Sequence, residues 1–175
     1  MTSRTSSLKF MIMDACVLID FIKSDRSVLE LIVKYVGPLH VVSLLVDEIK
    51  EIDGEEELAA LGLIIVEPEI EDAYTAGAQS GPLSFEDWLC LLTARRRGFT
   101  CVTNDKNLRK LCRHEKVPLL WGLELLLKLH KAGGITDKEA EELVKTIRRT
   151  NPRHITEKIV SDFIETIKIQ EGYKS

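Results

Sequence analysis

The sequence predicts an α/β protein in which helices cover both faces of a parallel sheet of about five strands. Short apolar, β-branched segments alternate with longer segments of helical period up to Leu120, and only helical patterns follow. This alternation is typical of parallel sheets, because parallel strands are joined by crossover helices. The 175 residues, 45% of them hydrophobic, fit one domain, with 8–120 as the α/β core and 121–175 as a C-terminal helical extension.

Hydrophobic periodicity places the individual elements of the core. Ser84 and Gly98 stand where the N-cap and the C-cap of one helix belong. Strands are expected at 9–14, 39–43, 63–66, 100–103 and 117–120, with helices at 17–35, 44–60, 69–78, 85–97 and 106–115.

Three further helices are expected in the extension, which either packs on the domain or binds a partner. The glycine pair 133–134 ends the first, and Thr136 with Glu139 makes a capping box for the second. Asn-Pro at 151–152 separates the second from the third. The third is amphipathic, with a stripe of Ile159, Val160, Phe163, Ile164 and Ile167.

The composition favours a cytoplasmic protein without membrane association. The longest apolar run, 39–46, is much shorter than the roughly 20 residues that cross a bilayer. The four cysteines lack C-x-x-C spacing and have apolar neighbours, which predicts reduced, structural thiols. Trp88 and Trp121 also lie in apolar stretches and are expected in the core.

Charge is distributed unevenly along the chain, although the net charge is only −4. Residues 95–116 contain eight basic and two acidic side chains, whereas 47–72 contain eleven acidic and one basic. Local fields decide which ligands approach a cleft, so the basic segment is a candidate for phosphate binding. Two ordinary solvated helix faces would give the same pattern and are the alternative.

Two aspartates stand where predicted strands end. Asp14 closes the first strand, and Asp105 directly follows the fourth. Ligands of open parallel sheets bind beyond the carboxyl ends of the strands, so these carboxylates would meet if the two strands are neighbours. Two like charges in such a place need neutralising, and Mg²⁺ or Mn²⁺ is the cation that prefers carboxylate oxygens.

Helices that begin at the same edge can add further carboxylates. Glu48 lies one turn from apolar residues on both sides, which makes it a better inward candidate than Asp47. In the helix 85–97, the stripe of Asp87 is more apolar than that of Glu86, so Asp87 is the better candidate there.

Each aspartate also has a purely structural interpretation. Asp14 suits an N-cap, Asp105 can begin an Asx-turn, and Asp87 at the third position after Ser84 completes a capping box. This alternative must account for four inward acids at one end of one sheet.

Four segments surround the four acids: FMIMDACVLIDFI, VVSLLVDEIKE, LSFEDWLCLLTARRRG and FTCVTNDKNLRKLC. Together, over residues 9–120, they resemble the PIN-domain nucleases, in particular the VapC-like branch. The resemblance implies a three-layer α/β/α fold with strand order 3-2-1-4-5. It also implies cleavage of single-stranded RNA, with Mg²⁺ or Mn²⁺ held by Asp14, Glu48, Asp87 and Asp105 and supported by Thr103 and Asn104.

The basic helix that begins beside the site is expected to contact RNA. In the expected mechanism, metal-activated water attacks the phosphodiester in line and leaves a 5′-phosphate and a 3′-hydroxyl. Flanking phosphates would be held without reading sequence. The side chains expected to do so are Lys106, Arg109, Lys110 and Arg113.

The VapC-like resemblance further implies the toxin of a toxin–antitoxin pair, an antitoxin protein as partner, and a homodimer. The family usually has Thr or Ser after the first aspartate, commonly followed by Asn or Ser, where this chain has Ala15 and Cys16. A donor to the site is then missing. The alternative function is therefore a catalytically weak or inactive PIN-like module that binds RNA or protein.

Overall fold

A five-stranded, all-parallel sheet lies at the centre of the computed structural model, which describes residues 10–172. The strand order is β3-β2-β1-β4-β5, so the predicted α/β/α class and the order 3-2-1-4-5 are confirmed. Lys9, the first residue of the first predicted strand, lies outside the described residues. The strands are β1 Met11–Met13, β2 Leu39–Val42, β3 Ile64–Val66, β4 Thr100–Val102 and β5 Leu119–Leu120.

Ten helices are described within residues 10–172. Most follow the predicted ranges, and the helix predicted at 85–97 begins and ends at those residues. They are α1 Ala15–Asp25, α2 Ser27–Tyr35, α3 Ser43–Val46, α4 Glu55–Ala60, α5 Ile70–Gly77, α6 Phe85–Arg97, α7 Lys106–His114, α8 Gly122–Lys131, α9 Asp137–Thr150 and α10 Glu157–Gly172.

The central strand β1 is buried on both faces, as a parallel strand covered by helices should be. On one face α6 packs against β1, β2 and β4. Six consecutive residues of this helix, 89–94, are buried. The N-terminal end of α6 is thereby fixed over the carboxyl ends of the central strands.

The single helix predicted at 17–35 is wrong, because the chain divides it into α1 and α2 at Arg26. The Asp25 carboxylate accepts hydrogen bonds from the Ser27 amide at 2.9 Å and the Ser27 hydroxyl at 2.6 Å. Such local bonds from Asp and Ser compete with helical backbone bonds. Apolar periodicity continues through the break, which is why the pattern did not reveal it.

The helix predicted at 44–60 is also wrong, since only α3 and α4 form and 47–54 are turns and bends. Gly54 has φ +82°, a left-handed conformation that a continuous helix excludes. Five of the seven residues 51–57 are acidic, and their repulsion disfavours a helix. Glu48 therefore lies in a turn, with its amide donating to the Leu45 carbonyl at 3.1 Å.

The C-terminal extension packs on the domain, which decides between the two alternatives. Helix α9 contacts α1, and α10 contacts α9. The Asn151 side chain, at the end of α9, donates to both carboxylate oxygens of Asp20 in α1 at 3.1–3.2 Å. The predicted stripe of α10 faces inward, with Val160, Phe163 and Ile167 buried.

Within residues 10–172, no helix combines the length and the apolar character needed to cross a bilayer.

Candidate metal centre

The register between β1 and β4 brings two strand ends together. Met13 pairs with Val102, and the amide of Asp14 donates to the Val102 carbonyl at 3.0 Å. Thr103 is therefore the neighbour of Asp14, and its Oγ1 donates to Asp14 Oδ2 at 2.7 Å. The same Oγ1 accepts from the amide of Asp105 at 3.0 Å. One hydroxyl thus links the two aspartates predicted at the strand ends.

Asp14 is a buried carboxylate, only 4% exposed. Cys16 Sγ donates to its Oδ2 at 2.9 Å, and the Cys16 amide donates to its Oδ1 at 3.4 Å, so Asp14 is the N-cap of α1. Burial raises the pKa of Asp14, the hydrogen bonds from Cys16 and Thr103 act in the opposite direction, and the Asp105 charge raises the pKa further. Removing this carboxyl from water makes its negative charge costly unless a cation compensates.

Asp87 lies at the N-terminal end of α6 and makes the predicted capping box with Ser84, at 3.0 and 3.1 Å. Burial, and then the charges of Asp14 and Asp105, raise the pKa of Asp87 from its ordinary 3.8 to about 6. The three aspartates therefore repel one another at the carboxyl edge of the sheet.

Capping and metal binding are compatible at these aspartates. Asp105 is the N-cap of α7, where its Oδ1 accepts from the Leu108 amide at 2.7 Å. The cap of Asp87 uses its Oδ2. Within residues 10–172 no hydrogen bond is formed by Asp87 Oδ1 or Asp105 Oδ2, so each carboxylate keeps one oxygen for a ligand. The aspartates do cap helices, as their structural interpretation predicts. Capping uses only one oxygen of Asp87 and of Asp105, so it is compatible with metal binding.

Two glutamates extend the acidic cluster. Partial desolvation, followed by repulsion from Glu86 and Asp87, raises the pKa of Glu48. Glu48 is exposed, so it lies at the rim of the group of acids and adds negative charge there. We define the acidic cluster as Asp14, Glu48, Glu86, Asp87 and Asp105.

Sequence reasoning ranked Glu86 below Asp87, although both belong to the cluster. The ranking agrees with the electrostatics, because the charges of Asp14 and Asp105 act on Asp87, whereas Glu86 acts on Glu48 at the rim. The signal for Glu86 in the sequence was the pair of adjacent acids in the first turn, two and three residues after the Ser84 cap.

The chemistry of the cluster fits a hard divalent cation. Its donors are carboxylate oxygens, and within residues 10–172 none of the five forms a salt bridge. No three His, Cys, Asp or Glu side chains among the described residues are already arranged as a metal-binding group. The cluster therefore matches a divalent cation in the type of its donor atoms and in its uncompensated negative charge.

Asn104 does not point its amide at the acidic cluster. It is buried, its Nδ2 donates to Asp20 Oδ2 at 3.1 Å, and its Oδ1 accepts from the Gly122 amide at 3.1 Å. Asn104 thereby fixes α1 and α8 to the end of β4, and its support of the centre is indirect.

The basic helix α7 begins at the cluster, as predicted. Lys106, Lys110 and Arg113 are exposed and form no ion pair with any described residue. Arg109 differs, because its guanidinium lies over the Trp121 ring at 3.7 Å from the centroid. Burial lowers the pKa of Arg109. Trp121 is thus a half-buried partner of Arg109, not the core residue that was expected.

The three arginines at the end of α6 are already engaged by acids. Arg96 binds Asp72 through two bonds of 2.7 and 2.8 Å, and Arg95 pairs with Glu115 at 2.7 Å. Arg97 lies 4.0 Å from Glu69. The basic character predicted for 95–116 is therefore available on α7 and largely neutralised on α6.

Comparisons of the chain with protein-family models, curated proteins and solved structures found no match. The likeness to PIN-domain nucleases therefore depends on the four sequence segments that surround the acids.

Proposed function

We propose that the protein is a metal-dependent ribonuclease of the PIN type, which cleaves single-stranded RNA at the acidic cluster. The observation that carries the proposal is that Thr103 links Asp14 to Asp105 at the ends of β1 and β4, and that the charges of these two aspartates act on Asp87 at the start of α6. Burial, and then the charges of Asp14 and Asp105, raise the pKa of Asp87 to about 6, and burial also raises the pKa of Asp14. Charge that is both buried and unpaired is unusual unless it serves a ligand.

In this proposal Asp14, Asp87 and Asp105 would hold Mg²⁺ or Mn²⁺, with Glu48 and Glu86 at the rim. A bound ion of this class lowers the pKa of its water and stabilises negative charge on phosphate oxygens. Binding requires Asp87 to lose a proton, so affinity should increase as the pH rises through about 6.

The remaining residues orient the site and the substrate. Thr103 and Cys16 hold Asp14 Oδ2, which leaves Oδ1 with only the long bond from the Cys16 amide. Lys106, Lys110 and Arg113 would hold phosphates next to the scissile bond, since cations on a helix position a backbone without selecting bases.

The decisive experiment compares Asp105→Asn with the wild type on an end-labelled single-stranded oligoribonucleotide in Mg²⁺ and in Mn²⁺. Asn retains the N-cap geometry of α7 and removes the charge, so the fold should persist while cleavage falls by about 100-fold or more. Asp162→Asn, at an exposed position of α10, is the matched control and should cleave normally. Cleavage by Asp105→Asn at the wild-type rate would refute the proposal.

The toxin role has its own test within the same proposal. Expression of the wild-type chain should arrest growth of a bacterial host, and Asp105→Asn should relieve the arrest. If the protein is a toxin, we also expect an antitoxin protein as its partner and a homodimeric assembly.

A second candidate is the non-catalytic module, favoured by Ala15 and by the use of all three aspartates in helix capping. Cys16 does not favour it, because its amide and its thiol both donate to Asp14, which corrects the expectation that a donor is missing there. Calorimetry with Mn²⁺ separates the two functions. A nuclease should bind the ion with heat that Asp14→Asn abolishes, whereas a scaffold that has lost its chemistry should give no such heat.

A further inference from the structure

A groove lies between α6 and α7, and Trp88 and Asn107 of its lining are close neighbours in sequence of Asp87 and Asp105. Its volume is about 440 Å³, within the range of small-ligand sites. Its walls are largely apolar, and the side chains of Asn107 and Lys110 lie along its rim. The apolar walls are formed by Pro82, Leu83, Trp88 and Leu111.

The position of the groove follows from the two helices that bound it. Trp88 comes directly after Asp87 on α6, and Asn107 comes two residues after Asp105 on α7. Both helices begin at the carboxyl edge of the sheet, so the groove and the cluster share these helix ends. Trp88 and Asn107 lie in the first turns of these two helices, so a strand bound at the cluster is expected to pass along the groove.

The composition of the groove favours a nucleobase as its occupant. The indole of Trp88 is half-buried: it packs against the core, as expected from the sequence, and also lines the groove. An aromatic ring in a groove wall is a surface on which any base can stack. The rim supplies an amide at Asn107 and an ammonium group at Lys110 for the polar edge of a base or its phosphate.

The charge beside the groove favours a polyanion over a protein segment. Lys106, Lys110 and Arg113 form no ion pair with any described residue. Asp105 is the N-cap of α7 and belongs to the acidic cluster, whereas Glu115, at the other end of the helix, is already bound by Arg95 and by His114, a residue of the groove wall. The exposed side of α7 beyond its first turn therefore carries uncompensated positive charge, as binding of a nucleic-acid backbone requires.

We infer that this groove holds one unpaired base of the RNA, stacked on Trp88, and so sets the position of the strand relative to the acidic cluster. The inference rests on the proposed nuclease function and adds to it a binding subsite and a positioning residue. Because stacking tolerates any base, the groove selects unpaired RNA without selecting sequence.

Fluorescence tests the inference without cleavage, in EDTA. Trp88 and Trp121 are the only tryptophans in the chain, so Trp121→Phe leaves Trp88 as the single indole. A single-stranded oligoribonucleotide should quench this emission, and an abasic oligomer of the same length should not. In the wild-type background, Trp88→Leu should weaken oligoribonucleotide binding about tenfold, whereas Trp88→Phe should retain most of the affinity.

Matched cation variants complete the experiment. Lys110→Gln should weaken binding and reduce its salt dependence. Lys145→Gln, on the exposed face of α9 where the lysine pairs with Glu141, should leave both unchanged. Circular dichroism melting of each variant shows whether the fold persists.

The outcomes distinguish the subsite from the nuclease. Metal-dependent cleavage without quenching, and with normal RNA affinity in Trp88→Leu, would overturn the subsite and leave the nuclease function standing. Loss of self-association in Trp88→Leu with unchanged RNA affinity would assign the groove to a protein contact and also overturn it. Absence of both binding and cleavage in the wild type would remove the two proposals together.

Discussion

Thr103 Oγ1 donates a 2.7 Å hydrogen bond to Asp14 Oδ2, although the two residues are 89 positions apart in the chain. Both are buried, and the same hydroxyl accepts from the Asp105 amide. The separation of the two aspartates therefore depends on one small side chain at the end of β4. A substitution at Thr103 should therefore alter the position of both Asp14 and Asp105.

Thr103→Val keeps the shape of this side chain and removes its hydrogen bonds. Asp14 then loses a donor in a buried site, so its pKa should rise further and the free energy of unfolding should fall by about 1–3 kcal/mol. Mn²⁺ affinity should also fall, because the ion needs the ionised carboxylate. Urea unfolding and calorimetry measure the two effects.

The chain offers a matched control for this substitution. Thr93 Oγ1 is buried and has no hydrogen-bond partner among the described residues. Thr93→Val removes an unsatisfied hydroxyl, so it should be neutral or stabilising. Equal losses in the two variants would show that the Thr103 hydroxyl has no special relation to Asp14.

Asp87 should make the metal-free protein less stable as the pH rises. Its pKa is raised to about 6 in the folded protein, so between 3.8 and about 6 the folded state binds more protons than the unfolded chain. The free energy of unfolding then decreases through this window and levels off above it. Asp87→Asn should remove about 1–2 kcal/mol of this decrease after allowance for solvent screening.

The second capping box provides a control of opposite sign. Hydrogen bonds from the Thr136 backbone and hydroxyl lower the pKa of Glu139, so its contribution to stability is lost as the pH falls. Urea unfolding in EDTA at several pH values between 4 and 8 should show Asp87→Asn and Glu139→Gln changing the pH profile in opposite directions. Parallel changes would contradict the assignment for Asp87.

Asn151→Ala should loosen the attachment of the C-terminal extension. Burial raises the pKa of Asp20, and the Asn151 amide is a principal donor to that carboxylate across 131 positions. Removing the donor should cost about 2–3 kcal/mol of unfolding free energy at neutral pH. In an Asp20→Asn background the same substitution should cost clearly less, and a double-mutant cycle measures the difference. Simple additivity would show that the two residues do not interact.

Gly122→Ala should destabilise the start of α8. A Cβ at this position would lie 3.0 Å from Val17 Cγ1 and 3.2 Å from both amide atoms of Asn104, so Asn104 would have to move. A cost of about 1–3 kcal/mol is expected in urea unfolding. Gly77→Ala is the control: its Cβ would meet only Phe85 at 3.9 Å, and in a helix it should be neutral or stabilising by up to about 1 kcal/mol.

Much of the fold could be predicted because the signals are local. Asp14 and Asp105 lie at strand ends because apolar runs stop there, and the capping boxes of Ser84 and Thr136 form between residues three apart. Two predicted helices were divided although their apolar period was continuous. Hydrogen bonds between Asp25 and Ser27 interrupt the first, and repulsion among the acids of 51–57 disfavours the second.

The sequence by itself determined which segments become strands and helices and which acids stand at their ends, because steric and capping preferences act over a few residues. Only the tertiary structure decided that Glu86 joins the acidic cluster, that Arg109 lies on Trp121 and that Asn104 binds Asp20. These contacts join positions far apart in the chain. They are fixed by strand order, register and packing, and no local pattern encodes them.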